Sequence, residues 1–322
     1  MLYDKENKVI EHSPLRNVIN YPKPLVSVCI TAYNIGDYIG ECIDSILSQV
    51  VTFDYKILIG EDMSLDNTRE ILKEYELKYP DKVRVIYNSQ NIGLMPNFVN
   101  TIESARGNFI AVMDGDDIWL NTQKLQSQVE FLLENEDYSL CFHDAIISDK
   151  NLVPLTSFSE RYPNRFRLYN QRYSLEDIIK WRGILSGTSS IVFRKNFDKF
   201  PKWAMKVGGS ESMIFILLFT YGKFHYIKEA MSVYRTHQHS TERTLSKISK
   251  SIRDIKDYNI YLKEFYPICR LFLIKKILRN RFYIIYQSIK SNQPKELIFS
   301  IRMIFPEITK YVYFLCLDKI TK

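Results

Sequence analysis

No uninterrupted apolar run in this sequence approaches membrane-spanning length, so nothing in it reads as a spanning helix. Cysteine is scarce: five residues, at 29, 42, 141, 269 and 316, odd in number and following no ligand spacing. They read as reduced core residues of a cytosolic protein and not as a disulfide framework. The start, Met1-Leu2-Tyr3-Asp4-Lys5-Glu6, is polar and charged, and no signal peptide is expected from it. Phosphate-cradling glycines are missing too. The loop after the first apolar run, Thr31 to Asp37, has neither the G-x-G-x-x-G spacing of a dinucleotide site nor the G-K-[ST] of a P-loop.

What is present is ordinary in bulk: 322 residues, 46% hydrophobic and 25% charged, enough for one large domain or two smaller ones. The net charge of +7 is unevenly spread. Residues 245–322 hold 16 Lys/Arg against 6 Asp/Glu, a balance of +10, while the remainder stands at −3. The tail is therefore a different kind of surface from the rest.

The chain divides by pattern into a lead-in segment 1–24, an α/β domain over 25–240 and a basic, aromatic helical region over 245–322. In the α/β part, Val26 to Thr31 reads as a strand and Asn34, Gly36 and Asp37 as the turn and N-cap of a helix over 38–49. Tyr55 to Gly60 is a second strand, and Asp66 caps a helix through about Tyr79 that Pro80 stops. Val83 to Tyr87 follows, then a helix from Pro96 to Ser104, then the apolar run Asn108 to Met113. Strands alternating with helices across short connections predict a doubly wound, mainly parallel sheet.

Directly behind the last of these runs stands Asp114-Gly115-Asp116-Asp117. Glycine permits a tight turn there. Three carboxylates crowd one strand end, where ligands bind in open α/β sheets. Carboxylates this close repel unless neutralised, and a hard divalent cation, Mn2+ or Mg2+, is the usual partner. A solvated acidic turn capping the next helix is the plain alternative. The polar ends Thr31-Ala32-Tyr33-Asn34 and Glu61-Asp62 fall on the same sheet edge, and helix capping is a poor account of all three clusters together.

These residues resemble glycosyltransferase family 2. The resemblance runs through Pro24-Leu-Val-Ser-Val-Cys-Ile-Thr-Ala-Tyr-Asn34, Glu61-Asp-Met-Ser-Leu-Asp-Asn-Thr68, Asn91-Ile-Gly93 and Asp114-Gly-Asp-Asp117. It continues through Lys124-Leu-Gln-Ser-Gln-Val-Glu130, Gly187-Thr-Ser-Ser190 and Tyr234-Arg-Thr-His237, over roughly residues 24–240. It implies a GT-A fold, a UDP- or dTDP-sugar donor, a divalent metal and inversion at the anomeric carbon. Carried over by position, Thr31, Ala32, Tyr33, Asn34, Glu61, Asp62, Asn91, Gly93, Asp114, Gly115 and Asp116 would border the donor, with Asp62 accepting from the base imide N–H. Asp116 or Asp117 would hold the metal, with His237 available to it. Arg235 and Trp203 would lie on the diphosphate and acceptor side. Glu211 would be the catalytic base. Two positions depart from the family pattern: Glu61-Asp62 stands for paired aspartates, and Met63 for the glycine beside them.

Farther along, Tyr138 to Ile147 reads as a strand bearing His143 and Asp144, with His143 structural. Arg161, Arg165, Arg167 and Arg172 interleave with Tyr162, Phe166, Tyr169 and Tyr173. The stretch is short and flanked by acidic segments, so it reads as an acceptor-side loop and not a nucleic-acid interface. Ser174-Leu-Glu-Asp177 is a capping box opening a helix to Trp181, Thr188 to Arg194 is a strand, and Pro201-Lys202-Trp203 either a sugar platform or a buried aromatic. In the tail, Pro267, Pro294 and Pro306 divide about four helices, either a packed bundle or a peripheral dock on anionic lipid. The reading is a cytoplasmic sugar transferase, soluble or peripheral on the inner membrane face, acting on a growing surface glycan, free or lipid-linked. A sugar-1-phosphate nucleotidyltransferase and an inactive nucleotide-binding scaffold are its rivals.

Overall fold

A computed structural model describes residues 24–166, 173–181, 186–237, 245–265 and 269–320. The lead-in segment before residue 24, Arg167, Tyr169, Arg172 and Pro267 lie outside the described residues. The chain forms two compact units. The first takes in everything to Phe200 together with Ser210–Thr236; the second comprises Pro201–Gly209 and the chain from His237 onward.

The first unit is built on one sheet. Its strands are β1 (Val26–Ala32), β2 (Tyr55–Glu61), β3 (Val83–Tyr87), β4 (Phe109–Asp114), β5 (Ile118–Trp119), β6 (Tyr138–Ser148), β7 (Pro154–Ser157), β8 (Val192–Arg194) and β9 (Lys223–Arg235). The order is β3-β2-β1-β4-β8-β6-β9-β5, with β7 beside β6. The first four strands are parallel, as their alternation with helices requires. The remainder is mixed, since β8 runs antiparallel to both β4 and β6, while β6 and β9 are parallel. The stretch expected as one strand from Thr188 splits into a 3-10 turn, Thr188–Ser190, and the short β8. The Ser190 hydroxyl and amide both return to the Gly187 carbonyl, which tightens the chain before it can extend.

Helices α1 (Gly36–Leu47), α2 (Thr68–Lys78), α3 (Leu94–Ser104) and α4 (Lys124–Glu134) cover the sheet. Helix α1 buries Ile39, Cys42, Ile43 and Ile46, one face at helical spacing. These pack on Val28, Ile30, Ile57 and Ile59, all fully buried. Each such aliphatic side chain contributes about 1.5–3 kcal/mol when withdrawn from water. Short helices α5 (Phe158–Arg161), α6 (Pro163–Phe166) and α7 (Leu175–Lys180) follow, and α7 opens on the expected Ser174–Asp177 capping box. Helix α8 (Ser210–Phe219) is apolar on all sides, and accordingly buried.

The N-terminus of α1 is not capped from its own turn. Asp66, in the loop after β2, places Oδ2 2.9 Å from the Gly36 N–H while Oδ1 accepts from the Thr68 N–H and hydroxyl. One carboxylate thus caps two helices.

The second unit is helical: α9 (Lys247–Glu264), α10 (Arg270–Lys290) and α11 (Pro294–Ile320). Pro306 lies inside α11 and does not divide it. Both Pro306 and Arg302, whose carbonyl loses its donor, are exposed, so water can take the vacated bond. An Arg281–Glu307 ion pair, buried at 3.3 Å, joins α10 to α11. Trp203 packs edge-on against Tyr261 and Phe265, and the Gly208 N–H donates to Asp257. No helix among the described residues is long and apolar enough to cross a membrane.

Asp66→Ala should cost about 1–2 kcal/mol, a full cap loss, by urea denaturation at pH 7. Burial alone would raise this carboxyl, but the bonds from Thr68 and Gly36 outweigh it and hold it below its ordinary 3.8. A depressed carboxyl stabilises the fold above its unfolded-state value and stops doing so as pH falls through its folded-state value. The gap between wild type and Asp66→Ala should therefore close as pH drops below about 4; a gap independent of pH would remove the ionised cap.

Candidate active site

Parallel register brings the three polar strand ends level: Thr31 lies beside Asp114, Ala32 beside Glu61, and Glu61 beside Tyr87. Side chains then stitch the loops together. Ser64 Oγ accepts from the Asn34 N–H, and Asn34 Oδ1 accepts from the Leu65 N–H at 2.8 Å. Asn34 and Met63 both adopt left-handed backbone, φ 52° and 60°. Met63 therefore occupies a conformation suited to the family's glycine, at a cost of roughly 1 kcal/mol for a residue with a Cβ.

The acidic pair after β2 is built into this framework. Glu61 is fully buried, ion-paired to Arg69 at 2.5 Å and accepting from the Ser64 N–H. Asp62 is also buried; its oxygens accept from the Ile92 and Gly93 N–H groups and from Asn88. Asn91 donates to the Asp62 carbonyl. Gly93, at φ +89°, is in the region that only glycine enters freely, and its N–H reaches Asp62 there. Glu61, Asp62, Asn91 and Gly93 thus shape the loop, and Tyr33, Asn34 and Met63 are among the residues exposed along this edge, with Thr31 partly so.

At the end of β4 the Asp117 N–H donates to the Asp114 carbonyl, closing the turn. Gly115 is required by packing: a Cβ there would collide with the Ile35 and Ile39 methyls. Asp117 is buried, and its Oδ1 accepts from the Arg235 backbone N–H at 2.9 Å, joining the turn to β9. Burial, then Asp116 and Asp114, push the Asp117 carboxyl well above the usual carboxylate range. Asp116 is partly exposed.

Glu211, in the first turn of α8, comes to the same place. The Thr188 hydroxyl donates to Glu211 Oε1 at 2.7 Å and is close enough to Asp114 to favour its charged form. Burial, the Glu211 carboxylate and the Asp116 carboxylate push the Asp114 carboxyl up to about 8. Tyr234 completes the group: burial and then the charges of Asp117, Glu211, Asp114 and Asp116 hold its phenol far above its ordinary value. Thr188 and Tyr234 were not singled out from the sequence. Both lie in motifs that carried the family resemblance, and that was their only signal.

Other expected residues stand elsewhere. Arg235 adjoins the turn through its backbone N–H, while its guanidinium is buried and bonded to Glu41 at 2.5 Å and the Lys150 carbonyl. Trp203 is buried in the second unit and offers no flat platform; its ring is spent on Tyr261 and Phe265. His237, also buried, belongs to the second unit. His143 is fully enclosed in the core, its Nδ1 2.6 Å from the Asp144 carbonyl, and burial followed by Lys124 holds it neutral. Asp144 accepts from the Ser159 N–H and hydroxyl, which fixes the start of α5.

The carboxylates suit a divalent cation. Asp117 Oδ2 is buried without a hydrogen-bond partner, and burial followed by the charges of Asp116 and Asp114 raises the affinity of this carboxyl for a proton. Oxygen donors of this kind match Mg2+ and Mn2+. Among the described residues no three acidic, histidine or cysteine side chains form a ready ligand group. A cation here would complete its shell with water and donor phosphate oxygens.

Comparison with known proteins agrees with this layout. An uncharacterised Mycobacterium tuberculosis protein, Rv1520, is 28% identical over 222 residues, 66% of this chain and 59% of its own. A protein named as a teichuronic acid biosynthesis glycosyltransferase, TuaG of Bacillus subtilis, is 37% identical over 134 residues, 40% of this chain and 52% of its own. The chain thus spans little more than half the length of these relatives. Among solved structures, S. aureus TarS 1-349 in complex with UDP superposes with a TM-score of 0.53 at 16% identity, over 79% of this chain and 70% of that one. A Pyrobaculum calidifontis mannosyltransferase in complex with GDP-Man and Mn2+ gives 0.53 at 12% identity, over 90% and 83%. Both likenesses show the GT-A fold. The model of the family described as glycosyl transferase family 2 matches residues 27–199, and the chain belongs to that family of enzymes.

Proposed function

We propose that this glycosyltransferase moves a sugar from a UDP- or dTDP-sugar to a hydroxyl of a growing, lipid-linked bacterial surface glycan, with inversion at the anomeric carbon. The observation that carries the mechanism is Glu211 standing beside Asp114 across the Thr188 hydroxyl. A lone carboxylate facing an acidic, metal-suited strand end is the arrangement that single-displacement transfer needs. The acceptor hydroxyl attacks the anomeric carbon, its proton passes to Glu211, and the breaking carbon–oxygen bond leaves its electron pair on the nucleoside diphosphate. Thr188 fixes which Glu211 oxygen is engaged and leaves the other turned towards Ser210.

A bound Mn2+ or Mg2+ would supply counter-charge to the leaving diphosphate, held by Asp116 and Asp117 with Asp114 behind them. The buried, unpartnered Asp117 oxygen supports this assignment. Tyr33 and Asn34, exposed on the first loop, would meet the nucleoside, with Thr31 and Ala32 beneath them. The UDP complex of TarS supports the donor class, and the Mn2+ of the mannosyltransferase supports the metal. The name of TuaG supports a surface-glycan acceptor. Membership of a glycosyltransferase family sets aside the nucleotidyltransferase reading.

EDTA should abolish turnover and Mn2+ or Mg2+ restore it. UDP with Mn2+ together should raise the melting temperature, as any ligand that favours the folded state does. Asp116→Asn should lose both the activity and the Mn2+-dependent part of the shift while keeping its circular dichroism. Full activity in EDTA would take the metal out of the reaction.

Glu211→Gln should reduce transfer 10²- to 10⁴-fold, roughly the worth of a general base, and leave the donor dissociation constant nearly unchanged. Transfer kinetics beside calorimetry separate the two. Wild-type transfer by this variant would place the base elsewhere, with Asp144 the next residue to test.

A further inference from the structure

The second unit carries a surface that the transfer reaction does not use. On α10 the exposed side presents Lys275, Arg279, Phe282, Tyr286 and Ile289, at steps of three or four residues, with Lys290 next to the last. They lie along one stripe of the helix, basic at its ends and apolar in the middle. Phe282, Tyr286 and Ile289 are 55%, 60% and 66% exposed, unusually open for side chains of this size. Helix α11 repeats the device. Lys295 and Arg302 stand seven residues apart, as do Ile298, Phe305 and Val312, and all five are exposed, Phe305 to 76%.

Among the described side chains, acidic residues are kept off both stripes. Helix α10 has none, and on α11 Glu307 is buried against Arg281 while Glu296 is partly enclosed, on the side away from Ile298 and Phe305. Apolar side chains flanked by cations alone match a surface that is anionic outside and hydrocarbon beneath. The stem of a lysine or arginine can lie along the apolar layer with its charge in the headgroups. A second copy of the chain fits less well, because a symmetric contact would set one basic stripe against another.

We propose that the exposed stripes of α10 and α11 dock this enzyme on the face of an anionic phospholipid bilayer, with Phe282, Tyr286, Ile289 and Phe305 entering the interface and Arg279, Lys290, Lys295 and Arg302 meeting lipid phosphates. The docking does not depend on the transfer chemistry, and it would hold the protein where a lipid-linked acceptor is presented.

The full chain should sediment with vesicles of phosphatidylcholine and phosphatidylglycerol in equal parts, and weakly with phosphatidylcholine alone. Salt at about 1 M, where the Debye length is about 3 Å, should release most of it. Arg279→Gln combined with Arg302→Gln should lower partition about 30-fold, roughly fivefold for each charge lost at an anionic surface. Phe282→Ser with Phe305→Ser should lower it on anionic vesicles at any salt, and both variants should keep the wild-type melting temperature because the sites are exposed. Equal partition onto neutral and anionic vesicles would overturn the proposal, as would wild-type binding by either double variant. A concentration-dependent dimer in sedimentation velocity, abolished by Phe282→Ser, would assign the face to a second copy. No donor or acceptor enters these measurements, so their failure leaves the proposed transfer untouched.

Discussion

Like-charge crowding at the end of β4 is the constraint around which the first unit is arranged. Burial, and then the charges of neighbouring carboxylates, push the Asp114 and Asp117 carboxyls up, and the nearby guanidinium of Arg235 is engaged by Glu41. Such a cluster is unfavourable in isolation and persists because the surrounding structure over-determines it. The β1 and β4 registers fix Asp114, the Arg235 backbone fixes Asp117, and Thr188 fixes Glu211. The free energy set against repulsion comes from the buried aliphatic layer beneath, where Ile30, Ile39 and Met113 pack with almost no exposure. A ligand that brings positive charge to this end relieves repulsion already present in the protein, which is why binding there can be selective without a preformed ligand cage.

Much of this was legible in the sequence, and the reason is local. β-Branched runs followed by glycine, asparagine or aspartate identify strand ends from a few residues. So the four parallel strands, the acidic turn and the Ser174 capping box could be read directly. What escaped depends on partners distant in sequence. Asp66 reads as a cap for the helix beside it, but nothing within ten residues shows that its second oxygen serves Gly36. Arg235 reads as a phosphate ligand until Glu41, 194 positions away, occupies it. Trp203 reads as an open ring until Tyr261 and Phe265 close over it. Pro306 reads as a helix end, yet one lost hydrogen bond on a wet face is too small a cost to stop α11.

The antiparallel turn at β8 was hidden for a related reason. Thr188 to Arg194 is rich in residues that favour strands, and propensity alone makes it one strand. The bonds from Ser190 back to Gly187 curl its first half instead, and that curl presents the Thr188 hydroxyl to Glu211. A residue that joins the site through a departure from its own propensity cannot be found by pattern.

The double cap at Asp66 bears on how the loops after β1 and β2 open. The first turns of α1 and α2 share one acceptor, so neither can fray without stripping the other of its cap. Ser64 and Thr68 add bonds to Asn34 and Ile35 across the same seam. The two loops therefore belong to one cooperative opening unit. Slow hydrogen exchange in one implies slow exchange in the other, and a substitution that loosens either would admit solvent along the whole edge at once.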